Sequence, residues 1–339
     1  MNNEKSCAST SINWYPGHMA KTRREIIEDL KLIDVVIELL DSRIPISSRN
    51  PDIAEITKNK DRIIVLNKSD LSDKKENEKL IKHFKENGLI AIECDSNNGR
   101  GINEVLRAIE KIKEKEMQEY ASKGRTGRKI RAMILGIPNV GKSSFINRVS
   151  KTNRLEVGNK PGVTKKKQWI RINEKIELLD TPGVLWPKFD NEKVALNLAY
   201  TGSIKDEILP QTEIAYQLLK YLLENYKGSI SERYNLSTEY INKVLNQNQP
   251  ENFNIYEIMQ EIGKKRGAIV SGGQVDDEKV ARIILDDFRS GKMGKITLER
   301  CYIWNVRMWY VRAILIARKQ KQNQKEKNNQ NEYRRIYSI

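Results

Sequence analysis

The stretch GIPNVGKSS, residues 136–144, has the residue types and spacing needed to bind the phosphates of a nucleotide. Gly136 and Gly141, followed by Lys142 and Ser143, fit the pattern G-x-x-x-x-G-K-[ST]. The glycines let the backbone curl around phosphate oxygens, Lys142 can neutralise the β- and γ-phosphates during catalysis, and Ser143 can ligate Mg²⁺. Three neighbours are expected to contribute to the same loop: Asn139, Val140 and Ser144. An ordinary glycine-containing turn is the alternative, and the full spacing disfavours it.

The motif NKSD could select the base of the nucleotide. The carboxylate of Asp70 can accept hydrogen bonds from N1–H and the 2-amino group of guanine, neither of which adenine offers. Lys68 can lie over the face of the ring, and Asn67 completes the motif. A four-residue match is weak alone, because such surface turns occur by chance. It becomes strong directly after a predicted strand in a chain that also has a phosphate loop.

Three further loops could complete a site for GTP. DSNNGRG resembles the loop that backs the guanine ring in GTPases, through Ser96 and Asn97. DTPG supplies Asp180, which can hold Mg²⁺, and Gly183, whose N–H can meet the γ-phosphate. Thr164 lies between the phosphate loop and DTPG, where it can ligate the same metal and act in catalysis when a triphosphate is bound. Without that position, a lone threonine in a basic loop would carry no functional meaning.

Short apolar runs precede most of these loops and predict buried parallel strands. The predicted strands are 35–40, 63–66, 90–94, 132–135 and 176–179. Stretches with helical periodicity at 76–87 and 105–120 alternate with them, which is typical of a doubly wound α/β domain. The carboxyl ends of such strands form the ligand-binding edge of the sheet. The motifs that follow these strands are therefore expected to converge there.

Together the five elements resemble the G domain of GTPases, read in the order base, base, phosphate, switch, switch. This order predicts an α/β P-loop GTPase domain with circularly permuted motif order, residues 1–207, in which segment 116–128 joins the old termini. Helical periodicity at 212–225, 255–267 and 276–288 then predicts a smaller all-helical RNA-binding domain, residues 208–316. A basic low-complexity tail, residues 317–339, completes the expected organisation.

Charge points to a polyanionic partner. The formal net charge is +16, and residues 300–339 hold ten basic and two acidic side chains, half of the excess. A site for RNA phosphates is favoured, while a disordered solubilising tail and a membrane-surface helix remain alternatives. Three scattered cysteines indicate neither a disulfide framework nor a zinc site. With no membrane-spanning run and no presequence, a cytoplasmic protein without membrane insertion is expected.

The closer resemblance is to the ribosome-biogenesis GTPase A family, also called YlqF. It is carried by NWYPGHMAKTRREI, by DVVIELLDSRIPISSRNP and by GKKRG, and it covers residues 12–299. The resemblance implies GTP hydrolysis coupled to late assembly of the large ribosomal subunit. It also implies a C-terminal helical module that binds RNA, with Lys264, Lys265 and Arg266 as its candidate contacts. The resemblance does not extend to the tail from Arg300 onward, so it implies no role for that segment.

Two catalytic details depend on this resemblance. Val184 occupies the position where many GTPases place a water-orienting glutamine, and the family suggests His18 as its replacement. A surface histidine in a Pro-Gly turn is the alternative. Asn139 resembles the asparagine that helps to hold K⁺ in cation-dependent GTPases, and a turn-forming asparagine after Pro138 is the alternative. Mg²⁺, and K⁺ as a second cation, are therefore the expected cofactors.

The sequence thus predicts a monomeric GTPase that assembles the large, 50S, ribosomal subunit, is slow alone and is stimulated by the ribosome. Two rivals stay open. The first is a permuted GTPase that serves the small subunit or another RNA. The second is a non-catalytic RNA-binding protein whose nucleotide site is only structural, against which Lys142 and Thr164 argue.

Overall fold

The computed structural model describes residues 17–125, 127–152, 168–181, 191–247 and 250–300. Each of the five predicted strands is present, and none begins more than two residues before its predicted start. The strands are β1 Val35–Asp41, β2 Asp61–Asn67, β3 Ile90–Glu93, β4 Ile130–Leu135, β5 Gln168–Arg171 and β6 Ile176–Asp180. All seven residues of β1 are buried, as a central strand covered on both faces requires.

The strands form one sheet with the order β3-β2-β1-β4-β6-β5. All neighbours pair in parallel except β5, which runs antiparallel to β6 at the edge. The sequence analysis did not predict β5. It has four residues, and Trp169 is 38% exposed beside buried Ile170, so it shows no continuous apolar run. The parallel core confirms the predicted α/β class and places the chain reversal between β1 and β4.

Helices cover the sheet and continue beyond it. Those of the first part are α1 Gly17–Asp29, α2 Pro51–Ile56, α3 Lys74–Glu86, α4 Ile102–Ser122, α5 Lys142–Thr152 and α6 Glu192–Tyr200. Those of the second part, here called the C-terminal helices, are α7 Gln211–Asn225, α8 Lys227–Tyr234, α9 Thr238–Leu245, α10 Glu251–Lys265 and α11 Asp277–Arg289. Polar caps fix several helix starts: the side chain of Asp73 accepts from the N–H of Lys75 in α3, and Asp276 accepts from that of Lys279 in α11.

The C-terminal helices and one face of the sheet share a single apolar cluster. It contains Ile37 of β1, Leu218 of α7 and Ile284 of α11, all at most 1% exposed. No helix in the described ranges is both long and apolar enough to cross a membrane. The predicted boundary at 207/208 falls just before α7 and stays a prediction.

After α11 the chain returns to the sheet and runs beside the NKSD motif. The N–H of Ile296 donates to the carbonyl of Leu71 at 2.9 Å, and the N–H of Asp73 donates to Thr297 Oγ1 at 2.9 Å. The N–H of Leu298 then donates to the carbonyl of Arg43 at 2.8 Å. This segment, residues 290–299 and here called the return segment, fastens the C-terminal helices to the side of the sheet that carries the NKSD motif.

Candidate nucleotide site

Asn67, the last residue of β2, connects three loops at the carboxyl edge of the sheet. Its side-chain Nδ2 donates to the carbonyl of Val140 in the phosphate loop at 2.8 Å. Its Oδ1 accepts from the hydroxyl of Ser96 at 2.7 Å and from the N–H of Ser96 at 3.2 Å. Asn67 is 1% exposed, so each of its polar atoms needs such a partner. One side chain therefore holds the base-reading motif, the 95–101 loop and the phosphate loop together.

Lys68 makes the second contact between the motif and the phosphate loop. Its ammonium donates to the carbonyl of Asn139 at 2.7 Å and to Asp41 Oδ2 at 2.9 Å. Its backbone has φ of 58°, a left-handed conformation that is uncommon for a lysine. Burial lowers the pKa of Lys68, and Asp41 opposes that shift.

Asp70 presents an unused acceptor. Its Oδ1 is buried and has no hydrogen-bond partner in the described part of the chain. Burial raises the pKa of this carboxyl group, since desolvation disfavours the charged form. Nearby, Arg100 Nη2 donates to Ser69 Oγ at 2.9 Å and so holds the turn that carries Asp70. A ligand that donates N–H groups to Oδ1, as the Watson–Crick edge of guanine does, would satisfy the orphaned atom.

The phosphate loop has the backbone that its glycines predict. Gly141 has φ of 99°, and a Cβ atom there would lie 2.3 Å from Asn67 Nδ2, so only glycine fits. Buried Lys142 donates to the carbonyls of Gly136 at 3.1 Å and Ile137 at 2.9 Å. Burial lowers the pKa of Lys142 to about 8, although the carboxylate of Asp180 acts in the opposite direction. An anionic phosphate group would restore the charged form.

Asn139 lies in the same loop with φ of 58°, as a turn-forming asparagine does. Its Nδ2 donates to the carbonyl of Gly202 at 2.5 Å, just beyond α6. Asn139 therefore forms the turn, and its side chain is also held in place by a hydrogen bond to another part of the chain. Ser143, Ser144 and Asn97 are exposed at the same edge, where a nucleotide would reach them.

The oxygen donors at this edge fit Mg²⁺. Asp180 ends β6, which pairs with β4, and Ser143 is the second residue of α5, which follows β4 after the phosphate loop, so a carboxylate and a hydroxyl lie on neighbouring elements. No group of three or more His, Cys, Asp or Glu side chains that could hold a metal occurs among the described residues. Mg²⁺ commonly uses few protein oxygens together with substrate phosphates. A bound ion would supply positive charge to the phosphates, and Ser143 and Asp180 are the residues that would hold it.

Several predicted residues lie where the structure gives no side-chain account. Thr164, Gly183 and Val184 fall outside the described residues. The backbone of His18 belongs to the first turn of α1, and its side chain lies outside the described part.

The three basic residues at the end of α10, Lys264, Lys265 and Arg266, differ in their contacts. Arg266 Nη2 lies 3.2 Å from Asp287 Oδ2, and its guanidinium stands 5.5 Å from the ring centroid of Tyr234, so it has partners within the fold. Lys264 and Lys265 are exposed. Lys264 is 3.6 Å from Glu261, a surface pair of small energetic worth.

The sequence analysis missed Asp41 and Arg43 as residues of this site. Arg43 is 1% exposed and pairs with Asp41 through two hydrogen bonds, from Nε to Oδ1 at 3.0 Å and from Nη2 to Oδ2 at 2.9 Å. Burial raises the pKa of Asp41, yet the charges of Arg43 and Lys68 outweigh it and hold that pKa well below its usual range. The available signal was a D-x-R triplet directly after the apolar run of β1, at the predicted ligand edge.

A cavity of about 550 Å³ lies at the opposite, amino edge of the sheet. It is bordered by both signs of charge, including Lys31, Asp34, Arg128, Lys129 and Glu177. None of the motifs that converge at the carboxyl edge reaches it. The candidate nucleotide site is therefore the carboxyl edge of the sheet at the phosphate loop and the NKSD motif.

An NKSD motif bonded to a phosphate loop that follows it in the chain defines the class: a P-loop GTPase whose motifs occur in circularly permuted order. The chain is 46% identical over 288 residues to the ribosome biogenesis GTPase A of Bacillus cereus, covering 85% of this chain and 93% of the relative. The chain belongs to the ribosome biogenesis GTPase A family. Residues 131–257 match the family model described as 50S ribosome-binding GTPase.

More distant relatives agree. The ribosome biogenesis GTPase A of Thermotoga maritima is 28% identical, with 85% of this chain and 94% of that protein covered. A solved structure of the GNP-bound YlqF from T. maritima superposes with a TM-score of 0.56 at 25% identity, covering 83% of this chain and 98% of the other. The protein is thus a GTP-binding enzyme that hydrolyses GTP to GDP and phosphate, and it is an assembly factor in ribosome biogenesis. As in GTPases generally, hydrolysis depends on Mg²⁺.

Proposed function

We propose that this chain binds the large, 50S, ribosomal subunit during late maturation and hydrolyses GTP there, slowly alone and faster on the particle. The observation that carries the guanine-specific part is the buried Oδ1 of Asp70, which has no hydrogen-bond partner among the described residues, beside a phosphate loop to which Asn67 and Lys68 are bonded. The partner is inferred from the basic composition and from the names of the relatives. Triphosphate sets the C-terminal helices for RNA, and hydrolysis releases them.

The test is sedimentation with ribosomal particles. The full chain is mixed with purified 50S subunits, 30S subunits and immature large-subunit particles, in a non-hydrolysable GTP analogue or in GDP. The proposal expects co-sedimentation with large-subunit particles in the analogue, and less in GDP. Equal or preferred binding to 30S subunits would replace it by a permuted GTPase that serves the small subunit. The same mixtures, assayed for phosphate release with GTP, test stimulation, and an absence of hydrolysis with and without particles would favour a structural nucleotide site.

The RNA contact is proposed to include the predicted basic residues of α10. Lys264, Lys265 and Arg266 are all exposed, and Arg266 also donates to Asp287, so the two lysines are the cleaner pair to change. The double change Lys264→Glu with Lys265→Glu should weaken particle binding and lower the salt dependence of affinity by about one unit of slope per lost phosphate contact. The matched control is Lys74→Glu with Lys75→Glu, an exposed lysine pair at the start of α3. Equal losses for both pairs would show a non-specific charge effect.

Further parts of this proposal concern the state of the protein. A monomer in the cytoplasm, with a GTPase domain at 1–207, an RNA-binding domain at 208–316 and a basic tail at 317–339, is consistent with the family and with the helices that begin at Gln211. Sedimentation equilibrium measures the mass directly, and a dimer mass would overturn the monomer.

A further inference from the structure

Arg43 lies between the guanine-reading motif and the C-terminal helices. Two of its guanidinium nitrogens donate to Asp41, and the third, Nη1, faces the end of α11, 3.3 Å from the carbonyl of Arg289 and 3.5 Å from that of Phe288. The guanidinium carbon also stands 5.2 Å from the ring centroid of Phe288. Carbonyls at a helix C-terminus carry partial negative charge and favour a cation. Arg43 therefore bonds to both parts of the protein at once.

Asp41 connects Arg43 to Lys68 at the nucleotide site. The carboxylate is buried, and it accepts from Arg43 through both oxygens and from the ammonium of Lys68 at Oδ2. A buried carboxylate left with one cation is costly, because charge without full compensation is poorly tolerated in the interior. Loss of Arg43 would leave Asp41 paired with Lys68 alone and would pull the lysine away from its place over the base.

Further contacts also hold the end of α11 and the return segment in place. The return segment brings Gly291 against Leu71, one residue after Asp70: a Cβ atom on Gly291 would lie 2.5 Å from Leu71 Cδ2. Arg289, whose carbonyl accepts from Arg43, also donates to the carbonyls of Tyr200 at 3.0 Å and Ala199 at 2.9 Å. The end of α11 is thus held both beside the NKSD motif and against the end of α6.

We propose that Arg43 and Asp41 are positioning residues that couple the guanine pocket to α11, so that binding of the base and docking of the C-terminal helices strengthen each other. The order of contacts is guanine, Lys68, Asp41, Arg43, then the last carbonyls of α11. Because coupling between two sites is reciprocal, a ligand that fixes Lys68 must stabilise the end of α11, and loss of the α11 contact must weaken guanine binding. The proposal deepens the proposed function and rests on guanine lying at Asp70.

The first experiment uses the unmodified full chain and two ligands that share phosphate chemistry. Amide hydrogen exchange is measured for free protein, for protein saturated with GDP and Mg²⁺, and for protein saturated with pyrophosphate and Mg²⁺. Pyrophosphate can occupy the phosphate loop but has no base. GDP should slow exchange in the last turn of α11 and in the return segment, while pyrophosphate should slow it only around the phosphate loop. Equal protection of α11 by both ligands, or by neither, overturns the proposal.

The second experiment removes the connecting group. Arg43→Gln should weaken GDP and GTP to the same extent, about 10-fold or more, because the base contacts are common to both, and it should abolish GDP-dependent protection of α11. The control is Arg49→Gln, which removes a partly buried arginine that lies 3.3 Å from Glu38 and stands 5.4 Å from the ring centroid of Phe84. The control should lose stability yet keep the GDP-dependent protection. Unchanged nucleotide affinity in Arg43→Gln would contradict the coupling.

If Arg43→Gln does not fold, the ligand comparison on the unmodified chain still decides the matter. Failure of the coupling is also distinguishable from failure of the proposed function, because exchange is measured without any ribosomal particle. A chain that sediments with large subunits but shows no base-dependent protection would keep its proposed function and lose only this inference.

Discussion

The ammonium of Lys68 and the backbone carbonyl of Asn139 are joined by a 2.7 Å hydrogen bond although 71 positions of chain separate the two residues. The bond connects the loop after β2 with the loop after β4, and in the sheet these strands lie on either side of β1. A site for base and phosphates depends on which strand ends are neighbours in space, and rotating the order of the strands along the chain leaves that unchanged. The permuted order is therefore compatible with an intact nucleotide site.

Asp70 gives the most direct test of base recognition. Asp70→Asn replaces an acceptor-only carboxylate by an amide whose NH₂ group would face the N–H donors of guanine. We expect GTP affinity to fall by roughly 10- to 100-fold, equivalent to about 1.5–3 kcal/mol for a lost charge-assisted pair, and xanthosine triphosphate, with a carbonyl in place of the 2-amino group, to bind better than GTP. Competition against a fluorescent nucleotide measures both. Asp73→Asn, three residues further on at the cap of α3, should leave the preference for GTP unchanged.

Gly141 tests whether the phosphate loop and Asn67 must lie this close. In Gly141→Ala the added methyl would meet Asn67 Nδ2 at 2.3 Å and would strain a φ of 99°, so the loop must move away from the base-reading motif. Nucleotide binding should be lost, and calorimetric titration would show it. Gly124→Ala is the matched control: φ there is 70°, but no atom lies within 4 Å of the new Cβ. It should cost about 1 kcal/mol of stability and leave affinity intact. Tight GTP binding by Gly141→Ala would contradict the geometry.

The lowered pKa of Lys142 predicts a pH dependence of binding. In the free protein this pKa is about 8, and a bound phosphate favours the ammonium form, so binding above pH 8 must take up a proton. Affinity should be flat below that pH and fall above it, by at most about tenfold per pH unit while the bound form stays protonated. Titration calorimetry in two buffers of different ionisation enthalpy counts the protons: almost none near pH 7, and most of one near pH 8.5. Proton release at either pH would show that the sign is wrong.

The sequence predicted the sheet and the converging loops because both follow from local rules. A strand buried on both faces, such as β1, requires a continuous apolar run, and a phosphate loop requires glycines at fixed positions, in any protein that contains them. Arg43 could not be predicted in the same way. An arginine after a strand is ordinarily an exposed side chain, and only the approach of Phe288 and Arg289 from α11, 245 and 246 positions away, buries it. Long-range packing of this kind leaves no local pattern, and edge strand β5 was missed because its residues form no apolar run.

Substitution of Asn139 distinguishes a turn-forming role of this residue from a role as a cation ligand. With φ of 58°, this position tolerates glycine, so Asn139→Gly keeps the loop conformation and removes only the side-chain amide. If K⁺ adds positive charge beside the phosphates through this residue, the unmodified chain hydrolyses GTP faster in KCl than in NaCl, and Asn139→Gly binds GTP but loses the difference. Phosphate release at matched ionic strength measures both. Equal rates in the two salts for the unmodified chain would leave Asn139 with only its turn and its bond to Gly202.

His18 is one of two histidines in the chain, and the other supplies the control. Val184 cannot orient water through its apolar side chain, so a polar group from elsewhere is needed for fast hydrolysis, and α1 begins at Gly17, next to His18. His18→Ala should keep the affinity for GTP and lose at least about 10-fold of the turnover stimulated by large-subunit particles, a typical size for loss of a water-positioning or general-base group. His83→Ala, on the solvent side of α3, should keep both. The measurement is single-turnover phosphate release with and without particles. Because affinity and turnover are read separately, undiminished stimulation in His18→Ala would remove this residue from the mechanism, whereas a loss of affinity would assign it to binding.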